Sequence, residues 1–198
     1  MDSLTLDDIL PLEEFAARRR EYFAGHARYL DRYRRVRLGP RATLLFENRQ
    51  TLWFRLQEIL RVARLADPAR VRQELEVYNR LLPQRDRLQA ALLLHLDDSR
   101  LEEELTPWRD LRGDQLVFHV AGLRYPANLL TCRPEDRCIG TAHWVQFVVD
   151  AAAQAGLAQG KAHFQISLPD YTHSSGLLSE DVCRSLLEDL TLSARAAG

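Results

Sequence analysis

The chain has 198 residues, 27 basic against 28 acidic, a formal net charge of −1 and 46% hydrophobic residues. That balance supports one globular domain with its own core, and it supplies no global field for a nucleic acid or a membrane surface. No apolar run approaches the ~20 residues of a membrane span and none opens the chain, so a cytoplasmic protein with reduced thiols is expected. The three cysteines agree: Cys132 and Cys138 are separated by five residues, not the spacing of a zinc knuckle or a redox pair.

Thr5 and Asp8 are spaced as a capping box, and Pro11 suits a first helical turn. A long helix should then run to about Arg35, with Phe15, Tyr22, Phe23, Tyr29, Leu30 and Tyr33 at roughly helical spacing. Nine arginines between Arg18 and Arg41 face only Glu21 and Asp31, before Gly39 and Pro40 break the helix. Residues 42–47 read as a strand, and 50–65 as a helix with Leu52, Leu56, Ile59, Leu60 and Ala63 on one face. Asp67 caps the next helix, Pro68 opens it, Val71, Leu75, Tyr78 and Leu82 form its stripe, and Pro83 marks its end.

Beyond Pro83 the apolar period becomes two. Strands are expected within 88–96, 115–123, 143–149 and 163–168, and short helices near 98–105 and 150–158. An amphipathic helix capped by Ser179 closes the chain over 179–194. Residues 125–141 form the longest irregular stretch, a candidate lid or partner loop. The pattern predicts an α+β fold: an antiparallel sheet of about five strands, covered on one face by the helices of 50–82 and 179–194. Residues 1–198 read as a single domain, a helical N-terminal extension over 1–38 and an α+β core over 42–198.

The chemistry concentrates where the first strand runs into "FENRQT". A strand entering a helix must satisfy the orphan N–H groups there, and Asn48, Gln50 or Thr51 can do so. Glu47 and Arg49 are expected to pair with Arg61 and Glu58 in a buried network that fixes the corner. The functional alternative is an anion or carboxylate pocket of Arg49, Arg61 and Asn79. Glu74 and Tyr78 lie one turn apart, and Tyr78 reads as a core residue with its hydroxyl satisfied. Glu47, Asn48, Arg49, Glu58, Arg61, Glu74, Tyr78 and Asn79 thus form a polar cluster, a candidate anion or partner site.

His95, His119, His143 and His163 each fall in an expected strand, where two or three could converge on one sheet face. They are the metal-ligand candidates, with Glu47 or Glu58 as carboxylate and iron or zinc as the metal. The Arg-rich helix, with Tyr22, Tyr29 and Tyr33 interleaved, offers a weaker nucleic-acid reading that no recognised motif accompanies. The chain lacks Gly-x-Ser-x-Gly, P-loop and dinucleotide fingerprints, so no catalytic residue is assigned, and Cys183 reads as a core thiol.

The blocks "VRLGPRATLLFENRQTLWFRLQEILR", "ELEVYNRLLP" and "LQAALLLHL" resemble, in that order, an uncharacterised bacterial family, a domain of unknown function. "HWVQFVV" and "LPDYTHSSGLLSEDVCRSLLEDL" match it more loosely. The chain departs from that pattern at Ala63, Ala91 and His95, where members carry Glu, Thr and an acidic residue. The resemblance implies a neighbourhood of rubrerythrin-like and iron–sulphur oxidoreductase proteins. The expectation is a non-catalytic accessory or interaction protein beside redox or iron proteins, with a metal-binding protein or metal-dependent enzyme as the alternative.

Overall fold

The computed structural model describes residues 2–131 and 141–195. The capping box of Thr5 and Asp8 opens only a short 3-10 turn, Leu6–Asp8. The long helix α1 (Leu12–Tyr33) starts after Pro11 and ends before Arg35. Then come β1 (Arg35–Leu38), β2 (Ala42–Phe46), α2 (Arg49–Val62), α3 (Pro68–Asn79), β3 (Arg87–Leu94) and α4 (Leu101–Leu105). The remainder is β4 (Leu116–Val120), β5 (Leu123–Leu129), β6 (Ala142–Val148), α5 (Ala151–Ala158), β7 (Ala162–Leu168), β8 (Tyr171–Ser174) and α6 (Glu180–Arg195).

The fold is α+β, but among the described residues the sheet has eight antiparallel strands and not about five, in the order β1-β2-β3-β6-β5-β4-β7-β8. Three strands, β1, β5 and β8, lie outside the ranges expected from the sequence. Arg35 to Leu38, at the expected end of the helix and its turn, forms a hairpin with β2, pairing Arg37 with Thr43. The supposed lid opens with β5, which lies between β4 and β6; the rest of that stretch, with Cys132 and Cys138, lies outside the described residues.

The sheet curls into a nearly closed barrel, because the edge strands β1 and β8 meet through Tyr171. Its hydroxyl donates to the Leu38 carbonyl (2.5 Å) and accepts from the Arg41 amide (2.9 Å). Gly39, at φ +75°, turns the β1–β2 hairpin so close to β8 that a Cβ there would lie 2.5 Å from the His173 ring.

Alternation sorts the side chains. Val36, Leu38, Leu44, Phe46, Leu88, Ala90 and Leu92 point inward, and the rings of Phe46, Phe118 and Phe147 pack on Phe164 at 5.1, 4.5 and 5.1 Å. The interior is therefore filled, as a small barrel must be. Trp108 closes one end against Tyr171, while Val182, Cys183, Leu186 and Leu190 of α6 join the same core. Outside, it is Leu30 of α1 that covers Leu45 and Ala91. α2 and α3, expected on the sheet, instead bury Leu52, Leu56, Leu60, Val71 and Leu75 in a second core with Leu4.

Candidate functional site

Along β2, Ala42, Leu44 and Phe46 face the barrel interior, so the next outward position after Leu45 is Glu47, which is 1% exposed. The chain must leave the sheet here and start α2. Asn48 caps it: its side-chain oxygen accepts from the Thr51 amide (3.1 Å), and its own amide donates to the Thr51 hydroxyl (2.8 Å). Thr51 in turn donates to Glu47 (2.5 Å), and the Arg55 guanidinium donates to the other carboxylate oxygen (2.5 Å). Arg55 lies 5.1 Å over the Trp144 ring. Burial pushes the Glu47 carboxyl up, and Arg55 and Thr51 pull it back.

A second buried pair adjoins the first. Arg34 forms a two-pronged ion pair with Asp189 of α6, both about 2% exposed. The Tyr29 hydroxyl accepts from Arg34 (3.0 Å) and from the Asn48 side-chain amide (2.8 Å), linking the two pairs. Burial raises Asp189 to about 6 even with Arg34 beside it. The chain Glu47–Thr51–Asn48–Tyr29–Arg34–Asp189 thus ties β2, α2, α1 and α6 together, with each buried carboxylate matched by a guanidinium.

Other residues of the expected cluster go elsewhere. Arg49 pairs with Asp8 (2.5 Å), and Asn79 clamps Leu4, accepting from its amide (2.8 Å) and donating to its carbonyl (2.9 Å). The Trp53 indole donates to the Asp8 carbonyl (2.8 Å). Arg49 and Asn79 therefore hold the chain's own N-terminal segment. Glu58 pairs with Arg19 (2.8 Å) and Arg61 (3.1 Å) on a part-exposed helix surface, away from Glu47's partners. Tyr78 sits in the second core; burial raises its hydroxyl pKa, Arg55 lowers it and Glu74 adds to the rise.

The four histidines do not gather. His119 and His163 are cross-strand partners with rings parallel at 4.7 Å, and burial, His163 and Arg124 depress the pKa of His119. Stacked rings beside a guanidinium do not aim lone pairs at one point, so this pair does not fit a metal centre. His143 faces the interior of the barrel opposite Leu92, and His95 shares a hydrogen bond with Thr43 (2.9 Å). Among the described residues, no three His, Cys, Asp or Glu side chains assemble as a metal site.

Sequence reasoning missed Arg34, Arg55 and Asp189. One signal was available: Asp189 falls within the apolar stripe of Val182, Leu186 and Leu190, where a carboxylate needs a partner. The arginine excess is local in sequence and dispersed in space, because Arg18, Arg19, Arg32, Arg34 and Arg35 pair with Glu21, Glu58, Asp181, Asp189 and Asp31. Cys183 is buried as a free thiol, and burial pushes its pKa up. Among the described residues no helix is long and apolar enough to cross a membrane.

No curated protein matches the chain. Among solved structures, it is similar to a crystal structure of a protein of unknown function from Burkholderia pseudomallei: 26% identity, TM-score 0.83, covering 96% of this chain and all of that one. A family model described as protein of unknown function (DUF3501) matches residues 3–190. With that match spanning nearly its whole length, the chain belongs to the DUF3501 family.

Proposed function

We propose that this is a non-catalytic accessory protein that works by docking to another protein. The observation that carries the reading is the outer surface of the α1–α2 pair. Phe23 on α1 and Val62 on α2 are 53% and 70% exposed. Phe23 stands beside Arg19, which lies 5.7 Å from its ring and bridges to Glu58; Glu58 also holds Arg61, the sequence neighbour of Val62. Large exposed apolar side chains among guanidinium groups are the makings of a protein interface. The filled barrel supports the same reading, since whatever the protein binds it must bind outside.

The neighbourhood implied by the sequence resemblance makes a rubrerythrin-like or iron–sulphur protein the partner class to look for. Affinity capture from the native host, after cross-linking, tests the proposal. The wild-type chain should recover a stable partner, and Phe23→Asp/Val62→Asp, shown folded by circular dichroism, should lose it. Recovery of the same partners by both proteins, or of none by wild type, overturns it.

A further inference from the structure

Beside the β1–β2 turn, on the outer face of the barrel, lies a groove of about 360 Å³. Pleating aligns its walls. Arg35 and Arg37 alternate with the inward Val36 and Leu38, Arg37 sits opposite Thr43, and Thr43 sits opposite Leu93. The amide of His95 donates to the Arg41 carbonyl (2.8 Å), which keeps the ring against the hairpin, within 2.9 Å of the Thr43 hydroxyl. Leu93 and Pro40 give the groove an apolar side.

The charge in this groove is one-sided. Among the described residues no carboxylate lines it. Asp31, on the last turn of α1, reaches Arg35 (2.7 Å) from outside the groove. The exposed Arg37 makes no ion pair among the described residues. Two guanidinium groups, that of Arg35 bridged to Asp31 and that of Arg37 exposed, thus line a space large enough for a small ligand together with the hydrogen-bonded Thr43 hydroxyl and His95 ring.

We propose that this groove binds the phosphate group of a small phosphorylated molecule. A tetrahedral oxyanion can accept from several sides at once, which suits donors drawn from two strands and from the residue just past β3 better than a planar carboxylate does. Leu93 and Pro40 take the carbon portion of the ligand. A nucleic-acid backbone is a poorer occupant, because neighbouring arginines outside the groove are already paired with acids. This inference is independent of the accessory-protein reading, and its test uses the purified chain alone.

Isothermal titration calorimetry with phenyl phosphate, orthophosphate and succinate, at one ionic strength, tests it. Phenyl phosphate should bind with a Kd of about 1 mM or tighter, about tenfold better than orthophosphate, with succinate weaker still. Arg37→Ala should weaken phenyl phosphate at least about tenfold while the melting temperature stays put, since that side chain is exposed and unpaired. Arg20→Ala, also on an exposed arginine, should bind as wild type does. Equal binding of phenyl phosphate and orthophosphate overturns the small-molecule part and assigns the groove to the inorganic ion. Succinate binding as tightly as phenyl phosphate overturns the phosphate assignment. Binding unchanged in Arg37→Ala, or no heat from either phosphate at 10-fold above about 1 mM, overturns the site itself.

Discussion

Glu47 and Glu58 are both glutamates paired with arginine around α2, yet they do different work. The Glu47 side chain is fully buried, with Arg55 at 32% exposure as its partner and Thr51 as a second donor. Glu58 is 20% exposed, and Arg19 and Arg61 beside it are 39% and 32% exposed. Pairing is common to both. What differs is how much water each carboxylate keeps when its partner is removed. A buried charge left alone keeps its full desolvation cost, whereas an exposed one is rehydrated and screened.

The largest effect is expected where neither member of a pair has water. Arg34→Ala leaves Asp189 buried without its guanidinium, and Asn48 and Tyr29 lose an anchored neighbour. A loss of about 3–5 kcal/mol in urea denaturation is expected, a large part of a domain's total stability of about 5–15 kcal/mol. An effect below about 1 kcal/mol would mean that this pair behaves like a surface pair.

A smaller effect, with a definite sign, comes from His26. Its ring stacks on Phe54 at 4.1 Å, and burial, with Arg55 and Arg35 nearby, lowers its pKa from 6.5 to about 4. Between those values the unfolded chain binds a proton that the folded chain refuses, so this contribution to stability is lost as pH falls from 6.5 toward 4. Asp189 acts oppositely. Its pKa rises from 3.8 to about 6, so the folded state gains relative stability on acidification in that window. His26→Phe removes only the first term and should be less acid-sensitive than wild type between pH 6.5 and 4, as melting temperatures will show. Parallel pH profiles would contradict the buried neutral imidazole.

The smallest effect belongs to the surface. Arg61→Ala leaves Glu58 with Arg19 and with water, so about 0–1 kcal/mol is expected, shrinking in high salt. A loss beyond about 2 kcal/mol would place Arg61 in the buried network that the sequence suggests but the structure does not contain.

Sequence revealed the switch in period after Pro83 and most element boundaries, because those elements repeat one burial pattern over several residues. It hid β1, where the four residues Arg35 to Leu38 follow a 22-residue helix without a break. It hid β5, where Ala127 is the one buried residue and Pro126 argues against a strand. That proline lies opposite Val117 of β4, and the ladder with β6 begins at Ala127, just past it. The corner itself was legible as a polar block, and Asn48 and Thr51 as its caps, since capping is local. Its charge partners were not. Arg55 meets Glu47 across the strand-to-helix bend, and Asp189 meets Arg34 from 155 residues away. Asp189 and Arg34 meet only in the folded chain, where α6 packs on the nearly closed barrel.

Two double-mutant cycles, Glu47/Arg55 and Glu58/Arg61, measured by urea denaturation under one set of conditions, test most directly whether burial and not pairing decides what holds this fold. A coupling of about 1.5–3 kcal/mol is expected for Glu47/Arg55, against about 0.3–0.5 kcal/mol for Glu58/Arg61. Equal couplings, or the larger one at Glu58/Arg61, would contradict it.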